Sequence, residues 1–141
     1  MNNRIFAGAL ISLAVLFLGA ALVQGAAESS IAITNANFAA PSPEKENLIE
    51  EWVEISNLGT ADVSLAGWTL EDAQNHTYAF LDFSLKAGAK AKIRTGMGND
   101  TAEDLYWNRG SSIWNNDGDV ATLMDASGNM VSRYPEEAKV A

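Results

Sequence analysis

Turn-forming residues return about every ten positions along most of this chain, the spacing expected of short strands in a sandwich or barrel. They are Pro41-Ser-Pro43, Asn57-Leu-Gly59, Ala66-Gly67, Gln74-Asn75, Ala87-Gly88, Gly96-Met-Gly98, Asn108-Arg-Gly110, Asp117-Gly118, Ser127-Gly128 and Pro135. The segments between them alternate with a period of two. Ile31 and Ile33 share one face. Val53 and Ile55 face opposite to Trp52 and Glu54, and in "KAKIR" Ala91 and Ile93 point inward while Lys90, Lys92 and Arg94 point outward. After residue 28 no stretch keeps a helical apolar period for three turns. Residues 119–134, "DVATLMDASGNMVSRY", read as a hairpin: Gly128 supplies positive φ at the turn and Asp125 can accept bonds from backbone amides just beyond it. Residues 41–47, "PSPEKEN", form a polar loop between the first strand and "LIEEWVEI". The expectation is one all-β domain in a chain of 141 residues.

Residues 1–27 belong to a different unit. A short positive start containing Arg4 precedes a long uncharged apolar run, the pattern of a secretory signal, with small residues at Gly25 and Ala27 suited to cleavage. Residues 5–23 are also about long enough to span a bilayer, so an uncleaved N-terminal anchor is the alternative. The domain then runs over residues 28–141, outside the membrane, secreted or held at the cell surface. Membrane contact is expected only through residues 5–23. The chain has no cysteine, which removes disulfides, thiolate metal sites, a lipid-attachment thiol and a cysteine nucleophile. All 18 acidic residues follow the leader, and the formal net charge is −9. Such a body repels phosphate backbones, so nucleic acid is not an expected partner.

The ordered blocks "EEWVEISNLG" (50–59), "DVSLAGWTLED" (62–72), "YAF" (78–80), "LKAGAKAKIRTGMG" (85–98), "YWNRGSSIWNNDGD" (106–119) and "VATLMDASGNMVSRY" (120–134) resemble the lamin-tail domain family. They cover nearly all of the chain beyond the leader. The resemblance implies an immunoglobulin-like β-sandwich with Trp68 as a core residue among Val53, Ile55, Leu65, Leu70, Phe80, Leu85 and Ile93. It also implies a turn at Gly88, Trp114 filling one end, and residues 115–119 turning the chain into the hairpin. Where family members often carry proline after the Phe80 position, this chain has Leu81-Asp82-Phe83.

The chemistry-bearing residues are few. The single histidine, His76, reads as a solvated turn residue, and no serine stands in a Gly-x-Ser-x-Gly elbow. The pairs Glu51/Glu54 and Glu71/Asp72 read as a solvated face, so no catalytic residue and no enzymatic activity are expected. "WNNDGD" fails as an EF-hand loop, because placing Gly118 at the sixth position puts Ile113 first and Met124 last, and neither can coordinate calcium. An irregular calcium site from Asp117, Asp119 and Asp125 is the remaining metal reading; otherwise no cofactor is expected. Lys86, Lys90, Lys92 and Arg94 make a small positive stripe, read as lysines guarding an edge or a solvated strand. Asn75 and Asn99 open glycosylation sequons. The candidate interaction surface is Trp52, Tyr106, Trp107 and Arg109, although each aromatic has a competing role in core or loop packing. The expected function is a non-enzymatic structural or interaction module, its partner a cell-envelope protein or a second copy. A carbohydrate-binding module using exposed Trp and Tyr, or a calcium-stabilised surface domain, is the alternative.

Overall fold

A computed structural model describes residues 29–136. The leader or anchor expected over residues 1–27 lies outside the described residues. Within them the fold is all-β, apart from two single turns of 3₁₀ helix, Glu44–Glu46 and Leu48–Glu50. Ten strands follow in order: β1 Ile31–Asn37, β2 Trp52–Asn57, β3 Val63–Ser64, β4 Thr69–Glu71, β5 Thr77–Ala79, β6 Ser84–Leu85, β7 Lys90–Arg94, β8 Asp104–Tyr106, β9 Ala121–Met124 and β10 Met130–Tyr134. They form one sheet of order β1-β2-β7-β8, a second of order β10-β9-β4-β5, and a short β3-β6 ribbon. No helix among the described residues is long and apolar enough to cross a membrane.

Alternation decides which residues meet between the sheets. Val53 and Ile55 of β2 pair with Ile93 and Ala91 of β7, and Ile93 pairs onward with Leu105 of β8, all five buried. Opposite them, Leu70 of β4 pairs with Leu123 of β9, and both have no exposed surface. Removing each such aliphatic side chain from water contributes roughly 1.5–3 kcal/mol. Trp68, Leu65, Phe80 and Leu85 join the same core. Along one side the two sheets are tied together, since the Ile33 amide of β1 donates to Ser132 Oγ of β10 at 2.9 Å. The β9–β10 hairpin forms as the sequence implies. Gly128 has φ 81°, and Asp125 Oδ1 accepts from the Ser127 and Asn129 amides at 2.9 and 3.0 Å.

A chain of rings closes one end of the sandwich. Tyr134 lies edge-on to Phe38 at 6.4 Å, Phe38 stacks on Trp114 at 5.1 Å, and Trp114 meets Trp107 at 6.2 Å. Trp107 in turn meets Tyr78 at 5.8 Å, and Tyr78 meets Phe80 at 5.0 Å. These edge-to-face and offset contacts are the arrangements that the ring quadrupoles favour. The ring chain therefore runs from β10 to β5, with Trp114 as the buried plug at that end.

The Leu81-Asp82-Phe83 departure becomes an exposed corner at Leu81. Phe83 folds back against the core, and its carbonyl accepts the Leu65 amide at 2.8 Å.

Candidate interaction surface

The candidate surface residues sit on different parts of this scaffold. Trp52, Arg94 and Tyr106 form one row across β2, β7 and β8, because Trp52 pairs with Arg94 and Arg94 with Tyr106. Trp52 is half-buried, and Lys92 Nζ lies 4.0 Å from its ring centroid. A cation-π contact thus covers one face of this ring. Trp107 is half-buried within the ring chain and packs on the core, so the competing packing role is the one its geometry displays. Tyr106 is half-exposed and Arg109 exposed.

Tyr106 and Arg109 stand on a loop framework with a fixed shape. The Asn108 amide donates to the Gly96 carbonyl at 3.1 Å, the Arg109 amide to Thr95 at 2.9 Å, and the Gly98 amide to Asn108 Oδ1 at 3.1 Å. Asn108 takes φ 57°, the left-handed conformation that asparagine tolerates better than most side chains. At Gly98 a Cβ would come within 2.4 Å of the Tyr106 ring, so only glycine lets the ring lie on that backbone. Gly96 is also close to Ile49, where a Cβ would lie 2.8 Å from the Ile49 amide. The result is one end of the sandwich on which Ile49 (46% exposed) and Met97 (72% exposed) accompany Tyr106 and Arg109.

Beneath this end lies a residue that the sequence reading misplaced. Glu51, taken as part of a solvated face, has no exposed surface. Its Oε1 accepts from Thr95 Oγ1 at 2.8 Å and from the Ile113 and Trp114 amides at 2.9 and 3.1 Å, while Oε2 accepts from Ser112 Oγ. A buried carboxylate persists only when such donors surround it. The signal was present in the alternation, because residue 51 shares the inward parity of Val53 and Ile55. The same correction applies to Asp72, which shares the parity of Leu70 and is also buried. Its Oδ1 accepts from the Gln74 and His76 amides at 3.1 and 2.7 Å, and its Oδ2 lies 2.7 Å from His76 Nδ1. His76 is in a turn as expected, but it is bound to Asp72 with its side chain 39% exposed.

The acidic residues of "WNNDGD" are largely occupied by the backbone. Asp119 Oδ1 accepts from the Ala73 and Val120 amides at 3.0 and 2.7 Å, and Oδ2 from the Asn115 amide at 2.9 Å. Asp125 caps its own hairpin turn, and Asp117 is exposed. Among the described residues no three His, Cys, Asp or Glu side chains group closely enough to hold a metal ion. Asn75 and Asn99 are both exposed.

The basic stripe is part edge and part solvated face. β7 lies between β2 and β8, but β8 pairs only with Lys92, Ile93 and Arg94, which leaves Lys90 beyond the β8 ladder while Lys92 and Arg94 are interior. They project from the outer face of the sheet, where Arg94 Nε pairs with Asp104 Oδ1 at 2.7 Å and its NH1 donates to the Ile49 carbonyl at 2.8 Å.

Two facing antiparallel-rich sheets, a core drawn from both and loops gathered at their ends define an immunoglobulin-like β-sandwich. The Lamin Tail Domain family model matches residues 24–137, and the chain belongs to that family of immunoglobulin-like interaction modules. A search of curated proteins finds no match.

Proposed function

We propose that this protein is a non-enzymatic structural or protein-interaction module, secreted or held at the cell surface, that docks through the loop end carrying Ile49, Met97, Tyr106 and Arg109. The observation that carries the reading is the pairing of exposed apolar side chains with a rigid backbone frame. Met97 is 72% exposed, yet the loops on either side of it are joined by the Asn108–Gly96 and Gly98–Asn108 bonds. Preorganised loops lose little conformational entropy on binding, and Met, Tyr and Arg are enriched where protein partners meet. The partner class is a cell-envelope protein or a second copy of the chain. No cofactor enters the mechanism, because docking requires only surface complementarity.

The test pairs capture with a surface variant. Met97→Asp together with Arg109→Glu leaves the core and the Glu51 network untouched, so the melting temperature is expected to stay within a few degrees of the parent's. A genuine partner, captured by chemical crosslinking in the native envelope, is retained by the parent chain and lost by this variant. For a second copy, sedimentation reports the same contrast. Equal capture by both proteins, or no association by either, removes the reading.

A further inference from the structure

A second surface starts at Arg94, beside the loop end, and follows β7 of the β1-β2-β7-β8 sheet. A groove of ≈ 610 Å³ runs beside β7, lined by Lys86, Lys90 and Lys92 together with Ser84, Glu54 and Glu103, and Arg94 and Asp104 close one end of it. The volume is within the range of small-ligand clefts. Its charge is unusual for this molecule, because four of the chain's nine Lys and Arg residues meet there on a protein of net charge −9. Not all four cations are equally available. Arg94 is neutralised by Asp104, and Lys92 rests over Trp52. Lys86 and Lys90 are exposed and form no ion pair among the described residues.

Concave walls concentrate the field of these lysines, so the groove attracts an anionic group despite the acidic surroundings. The carboxylates in the same lining then select among anions. Glu54 Oε1 already accepts from Thr34 Oγ1 at 2.9 Å, and Glu103 is exposed. A polyphosphate brings no hydroxyl donors to satisfy them and is repelled. A sugar acid brings carboxylates for the lysines and hydroxyl donors for Glu54 and Glu103.

From this arrangement we infer that the groove binds an anionic, hydroxyl-rich glycan, of the uronic-acid class, through Lys86 and Lys90. This site is separate from the aromatic platform that the sequence suggested, since Lys92 covers one face of Trp52 and Trp107 is packed in the ring chain. It goes beyond the proposed docking function and does not depend on it.

The experiment is calorimetric titration of the full chain with a short oligogalacturonate. A neutral oligosaccharide of the same length and a polyphosphate of matched charge serve as comparison ligands. The uronate is expected to bind with a Kd of about 1 mM or tighter, more tightly than polyphosphate, and to weaken with added salt. Lys86→Gln with Lys90→Gln, both exposed positions, is expected to weaken it about tenfold or more. Glu103→Gln is expected to narrow the preference over polyphosphate. No heat up to about 10 mM uronate, equal binding of polyphosphate, or unchanged affinity in the double lysine variant each overturns the proposal. Met97→Asp with Arg109→Glu leaves uronate binding unchanged, which separates the failure of this inference from failure of the docking reading.

Discussion

A carboxylate with no exposed surface destabilises a fold unless donors take the place of the water it has lost. Glu51 meets that condition through Thr95, Ser112 and the Ile113 and Trp114 amides, and so joins the start of β2 to the loop that carries the Trp114 plug. Glu51→Gln keeps the shape but turns an amide donor toward other donors; a loss of about 2 kcal/mol is expected in denaturant unfolding, since hydrogen bonds to charged groups contribute about 1.5–3 kcal/mol. Glu51→Leu removes every acceptor and is expected to cost about 3–5 kcal/mol. Asp119 has a comparable role further along the same β8–β9 loop, where it holds the Asn115 and Val120 amides and the Ala73 amide of the β4–β5 turn. Asp119→Ala is therefore expected to lower stability by about 1–2 kcal/mol in the same measurement. The loss is expected to be equal with and without chelator. A chelator-dependent melt of the parent chain that disappears in Asp119→Ala would instead point to bound calcium, through linkage of binding to folding.

At the scale of the strand, β8 is an edge and has only three residues, Asp104–Tyr106. Its amides are nevertheless occupied by the preceding loop. The Asp104 amide donates to Thr101 Oγ1 at 3.0 Å and the Tyr106 amide to Asp100 Oδ1 at 2.8 Å. Side chains thus take the ladder positions that another chain could otherwise fill. Asp100→Ala combined with Thr101→Val frees both amides. The expected outcome is faster aggregation on mild heating, followed by light scattering, with the folded fraction before heating unchanged. An aggregation rate equal to the parent's would show that the shortness of β8 alone protects this edge.

For the whole molecule, pH links the two sheets through Tyr78. Its hydroxyl is held above the ordinary phenol value, raised from 10.0 to about 12, first by burial against the ring chain and second by the Asp100 carboxylate. The folded state therefore keeps this proton where the unfolded chain has released it. That contribution to stability is full below pH 10.0 and is lost as the pH rises through about 12. Tyr78→Phe is expected to remove the high-pH part of the phenolate absorbance titration. Stability of the variant should also fall less steeply than the parent's between pH 10.0 and about 12. Parallel alkaline unfolding curves for the two proteins would contradict this assignment.

The period-two alternation of β2, β4 and β7, the turn residues between strands and the "DASG" hairpin are local properties, and so the sequence by itself determined an all-β chain and most of its core. The ordered blocks added the sandwich arrangement. Alternation even marked Glu51 and Asp72 as inward, but it could not say that a carboxylate would be tolerated there. The donors to Glu51 come from Thr95 and residues 112–114, far away along the chain, and only folding brings them within bonding distance. Strand order is non-local in the same way. It placed β7 between β2 and β8, brought Lys86, Lys90 and Lys92 to the lining of one groove, and seated Trp107 between Tyr78 and Trp114. Tertiary structure decided these points because each depends on which distant segments become neighbours, and burial, hydrogen bonding and charge all act across that short range.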